Sequence, residues 1–237
     1  MKKLLVIVLL FQFIFPVYAQ KEIDHNVNSE VKELSDFHDV IFQIWHTGWP
    51  HKDIKFLQSI LPAVEKGYEK IKKAELPGIL KDKKSKWDDG LKKFGVCVDM
   101  YKIACSKKDS ISLLNAAEKL HSQFELMVRI IKPVTKEIDS FHQTLYVLYH
   151  NYLPADEFEK IKDAAVELKT KMEDLSKAPL SQRLKGKEDK FAKVKEELSA
   201  SVDKLKEVVK AGNNKKDIDK VVNSLHSKYQ ELEKLFD

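Results

Sequence analysis

From about residue 30 onward, apolar residues recur at spacings of three and four, the period of a helix with one buried face. Leu34, Phe37, His38, Ile41 and Trp45 define a first helix over about 30–48, closed by His46-Thr47-Gly48-Trp49-Pro50, where Gly and Pro break the pattern. A second, over about 51–73, carries Ile54, Leu57, Leu61, Val64, Tyr68 and Ile71 and is interrupted early by Pro62. A loop is expected around Leu76-Pro77-Gly78. Trp87, Leu91, Phe94, Val98 and Tyr101 then mark a third helix (about 83–105). Ile111, Leu114, Ala117, Leu120, Phe124 and Met127 mark a fourth (about 109–131), with Asp109 as its N-cap. Four more segments follow, Ile138 to Tyr152, Phe158 to Leu175, Phe191 to Val209 and Ile218 to Leu235, and no strand pattern competes with them.

The second set of four repeats the first. At an offset of 104, Phe37-His38 falls on Phe141-His142, His46 on His150, Pro50 on Pro154, Lys73-Ala74 on Lys177-Ala178 and Trp87 on Phe191. One residue further on, Leu120-His121-Ser122 and Phe124 match Leu225-His226-Ser227 and Tyr229. The expected architecture is therefore all-α, a tandem duplication of an up-down four-helix bundle. Residues 30–132 form the first copy and 133–237 the second, after a linker at 20–29.

The first nineteen residues, MKKLLVIVLLFQFIFPVYA, have a basic start, an apolar run and a small residue at Ala19. They read as a secretory signal peptide cleaved before Gln20, which places the protein in the periplasm or outside the cell, with no membrane insertion afterwards. Losing Lys2 and Lys3 takes the formal charge from +5 to +3. That balance is too slight for a nucleic-acid protein. Cys97 and Cys105 are eight apart in one helix, so ~12 Å separates them, beyond the reach of a disulfide. They read as small buried hydrophobes, with a reactive or intermolecular thiol as the alternative.

The candidate chemistry lies in histidine. Six of the eight are duplicated: His38, His46 and His121 in the first copy, His142, His150 and His226 in the second. His25 and His51 have no counterpart and are expected at the surface. In an antiparallel bundle, His38 and His121 fall at similar depth, as do His142 and His226, so each pair could meet between the first and last helices. His46 is eight residues from His38, ~80° around and ~12 Å along, so a three-histidine site needs a break in the helix. Two histidines with a water or a carboxylate such as Asp36, Asp39 or Glu118 form the simpler set. Imidazole suits copper, zinc and iron, and haem iron takes axial histidine. Hydrogen bonding across the core is the structural alternative.

The segment VKAGNNKKDIDKVVNSLHSKYQ, with His226 followed three residues on by Tyr229, resembles the last helix of the exported b-type cytochromes that fold as four-helix bundles. The c-prime cytochromes share that fold and place a His in the same helix. His121 with Phe124 matches less closely. The resemblance implies a haem-binding electron carrier. The b-type family's second ligand is a Met near the start of the first helix; His38 or His142 stands there, implying bis-histidine ligation. With no C-x-x-C-H, such a haem would be held non-covalently. No phosphate-binding glycine loop or nucleophile–base pair stands out. The reading is thus a non-enzymatic exported protein binding a transition metal, copper or zinc, through histidines in both copies. Haem b binding and a cofactor-free scaffold or interaction protein are its alternatives.

Overall fold

A computed structural model describes residues 27–236 apart from 108, 133, 134 and 213. The expected signal peptide, its cleavage site and His25 lie outside the described residues. The chain is all-α: nine α-helices, two π turns and two 3₁₀ turns, with no strand, account for the regular structure among the described residues.

Helix α1 (Lys32–Gln43) runs directly into a π turn, Ile44–Gly48. The expected second helix is two pieces, α2 (Ile54–Ser59) and α3 (Leu61–Lys73), because Pro62 sits in the first turn of α3, where its missing N–H costs nothing. Asp53 caps α2 by accepting from the Phe56 amide. Beyond α3, Gly78–Lys83 winds into a 3₁₀ turn where the sequence suggests only a loop. Helices α4 (Lys84–Ser106) and α5 (Ser110–Ile131) follow, and Asp109 does cap α5, accepting from the Ile111 amide. The apolar stripe of α5 differs from expectation at its start: Ile111 is exposed and Leu113 is the first buried residue.

The second half repeats this order. Helix α6 (Lys136–Val147), capped by Thr135, runs into a second π turn at Leu148–Tyr152. Helix α7 (Phe158–Lys177) is unbroken, since no proline interrupts it. A short 3₁₀ turn (Gln182–Leu184), α8 (Glu188–Ala211) and α9 (Lys215–Lys234) complete it, and Asn214 caps α9. In each half consecutive long helices pack on one another, α1 on α3, α3 on α4 and α4 on α5, then α6 on α7, α7 on α8 and α8 on α9.

Each half has its own core. In the first, Phe37 stands edge-on to Phe94 at 5.6 Å and tilted against Phe124 at 5.8 Å. In the second, Phe141 stacks near Tyr229 at 6.1 Å. The halves also touch. Tyr146 of α6 packs into the first half's core, and its hydroxyl occupies the space that a Cβ on Gly78 would need. The 3₁₀ turn that begins at Gly78 therefore lies against the second half. Cys97 and Cys105 are unbridged and half-buried, and burial pushes the Cys105 thiol up to about 11, so neither has the thiolate character of a reactive cysteine.

Candidate metal centre

The π turns occupy the same place in both halves and carry His46 and His150. Their backbone bonds run from residue i to i−5: Trp49 N–H donates to the Ile44 carbonyl at 2.8 Å, and Leu153 N–H to the Leu148 carbonyl at 2.9 Å. A π turn inserts an extra residue into a helix and reorients the side chains that follow, which is why such turns concentrate at functional sites. The break does not bring the two histidines of one helix to a single point: His150 faces His226, while His142 stays against Tyr229.

The turns set up the same ladder of rings twice. In the first half, Trp45 stacks on His121 (4.2 Å, 8°), Phe42 lies against His46 (4.5 Å) and His38 tilts toward Phe124 (6.0 Å). In the second, Tyr149 stacks on His226 (3.9 Å, 8°), Tyr146 lies against His150 (4.9 Å) and His142 stacks on Tyr229 (4.4 Å). Aromatic side chains thus support every one of the six duplicated histidines.

The two ladders differ in cover. His142 and His226 are buried, while His38 and His46 are exposed and His121 is half-buried. The expectation that His38 lies on the buried stripe is corrected: Phe37 and Ile41 point inward, and His38 lies on their solvent side. Cover over the second ladder comes from the first half's 3₁₀ turn. Asp82 reaches across from it, and its Oδ2 lies 3.1 Å from His226 Nε2 while accepting from Gln230 Nε2 at 3.2 Å. The neighbouring Lys83 pairs with Glu233 at 3.1 Å.

One ligand atom each from Asp82, His150 and His226 lies within 4.8 Å of the others. The rings of His150 and His226 stand perpendicular at 5.9 Å. His142, expected to pair with His226, is not in this group, because its ring is turned onto Tyr229 and Tyr146 lies between it and His150. Among the described residues, His38, His46 and His121 form no such group with a carboxylate. His121 lies 4.0 Å from Glu125, one turn along its own helix. Asp36 is occupied by Lys32. The position matching Asp82 at the offset of 104 is Gly186, which has no carboxylate to offer.

The electrostatics favour the metal-ready forms of Asp82 and His150. The hydrogen bond to His226 holds the Asp82 carboxyl down to about 2, so it is ionised. Burial lowers the His150 pKa, with Asp82 opposing, and the same desolvation pushes His142 down to about 3. Neutral imidazole and ionised carboxylate are the forms that bind metal. Beside His150, Asn151 Oδ1 is buried with no hydrogen-bond partner.

Asp82 is the residue that sequence reasoning missed. Its position 144 residues from His226 carries no local spacing signal. Compared with protein-family models, curated proteins and solved structures, the chain matches none. Among the described residues, no helix is long and apolar enough to cross a membrane.

Proposed function

We propose that this is an exported, non-enzymatic helical protein that binds one transition-metal ion where its two halves meet, through Asp82, His150 and His226. The observation that carries the reading is the convergence of two imidazoles and a carboxylate, ligand atoms within 4.8 Å, from three separate elements. Two histidines and one carboxylate suit zinc, copper or ferrous iron, with a further position left for water or another donor. In tetrahedral zinc, bonds of ~2.0–2.1 Å place neighbouring ligand atoms ~3.3 Å apart. The Asp82–His226 separation of 3.1 Å is close to that; the Nε2 proton that makes this hydrogen bond would leave as the ion bound, and a side-chain adjustment at His150 would complete the set. Tyr149 stacks on the His226 ring at 3.9 Å and holds its orientation. The buried, unpartnered Asn151 oxygen adds a reason to expect a bound group nearby.

In the second half a haem between His142 and His226 is disfavoured by space: the cavity bordered by His142 and Tyr229 holds about 10 Å³, room for about one water. The test is equilibrium dialysis of the purified protein against zinc or copper, followed by elemental analysis. About one ion per chain is expected. H226A, H150A and D82A should each lose it, and H38A and H121A should keep it. Absence of a stoichiometric ion, or full loading in D82A and H226A, overturns the reading.

A further inference from the structure

The whole sequence contains 42 lysines and arginines, of which only Arg129 and Arg183 are arginine. Arg129 comes from α5 in the first half and Arg183 from the short 3₁₀ turn in the second. Both line one cleft of about 620 Å³ where the halves meet. Neither position is an image of the other: in the register of the last helices Arg129 falls on Lys234, and the offset of 104 takes Arg183 back to Ile79. The two arginines thus meet at the cleft without being copies of each other.

The cleft's charge is unbalanced. Its three lining acids are already engaged: Asp82 by His226 and Gln230, Glu233 by Lys83, and Asp89 by Lys92. Arg129, Arg183, Lys93, Lys132 and Lys234 also line it, and among the described residues none of these five is in an ion pair with a carboxylate. Five cations around one concavity raise the local concentration of anions. Guanidinium adds geometry, because its planar fork binds the paired oxygens of a phosphate or carboxylate in a way that lysine cannot. Leu126, Ile130 and Phe236 supply an apolar wall, and the volume lies in the range of small-molecule sites.

We infer that the cleft between the halves binds a small organic molecule carrying two or more oxyanion charges and an apolar portion, gripped by Arg129 and Arg183. The inference uses different residues from the metal reading, save that Asp82 borders both. It is therefore tested with metal removed.

Inorganic pyrophosphate and, separately, citrate are titrated calorimetrically into chelator-treated protein at physiological ionic strength. Saturable binding of one anion per chain is expected. R129A and R183A should each weaken it about tenfold or more, R129K should restore it only partly, and K70A, a lysine outside the cleft, should leave it unchanged. Preference for pyrophosphate assigns a phosphorylated ligand, and preference for citrate a polycarboxylic one. Failure of both probes to saturate, or equal weakening by K70A and the arginine variants, overturns the inference. Both arginines are exposed, so circular dichroism should show that their variants fold normally.

Discussion

His142 lies sealed against Tyr229, and burial drives its pKa from 6.5 to about 3, with Lys83, His226 and His150 acting in the same direction and Asp82 against it. The folded protein therefore keeps this imidazole neutral where the unfolded chain would protonate it. Below pH 6.5 the unfolded state binds the extra proton, so this contribution to stability falls as pH drops, down to about 3. At pH 5 the penalty is roughly 2 kcal/mol, from about one and a half pH units at ~1.4 kcal/mol each. H142F should match wild type in urea at pH 7.5 and exceed it by about that amount at pH 5; an equal gap at both pH values would show that His142 is not buried in its neutral form. Asp82 behaves in the opposite sense. Its carboxyl is held down to about 2, so what it contributes is present above about pH 4 and is lost as pH falls through about 2. At this scale the sequence was legible by repetition alone. The duplication marks six histidines, His150 and His226 among them, but depth in the bundle pairs His226 with His142 rather than His150, and Asp82 has glycine as its counterpart and works through a contact that no helical spacing encodes.

Between one helix and the next, the π turns and the 3₁₀ turn set the geometry. The helices themselves were legible because their apolar faces keep a 3.6-residue period, and seven of the nine correspond one-to-one to the segments expected; α2 and α3 share the eighth, split where Pro62 ends one helix and starts another. Neither π turn disturbs that period visibly, since Leu148 remains buried on the stripe that Leu145 continues from α6. Deleting Asn151 should remove the extra residue and let α6 wind on as an ordinary helix, turning the residues after it by ~100° relative to His150 and so taking that ring out of register with the rest of the second half. Zinc loading should then fall below stoichiometric by elemental analysis with helicity by circular dichroism almost unchanged. Deleting Thr47, its counterpart at the offset of 104, should leave loading intact. A smaller probe of the same joint is G78A. Its new Cβ would collide with the Tyr146 hydroxyl, so either the Tyr146 ring swings aside or the 3₁₀ turn shifts and carries Asp82 with it. Because Tyr146 is buried in the first core, the turn is expected to give way: zinc affinity should weaken about tenfold or more, and an unchanged affinity would show that the ring moved instead.

The molecule as a whole is two cores fastened by a few residues, and the fastening coincides with both proposed sites. Tyr146 inserts into the first core, Lys83 pairs with Glu233, and Asp82 bonds to His226. Cooperative unfolding of separate cores depends on the free energy shared between them, here carried by Tyr146 with Val147 beside it, by the edge where Ile79, Leu80 and Ile131 approach Ile138 and Tyr229, and by a small polar set. Y146A removes the tyrosine's insertion, and with it the ring that lies against His150, but leaves all three metal ligands in the chain, and should split a single thermal transition into two. Metal offers a second fastening, because it draws Asp82 from one half and two histidines from the other. Zinc at about a hundred times its dissociation constant adds ~2.7 kcal/mol to any state in which all three ligands are in place. Because that state requires both halves folded and docked, zinc should merge the two transitions of Y146A into one in calorimetry. Zinc should leave them separate in Y146A/D82A. If instead zinc raised only the second half's transition in Y146A, the ion would be held by His150 and His226 alone, and the carboxylate that bridges the halves would be a bystander.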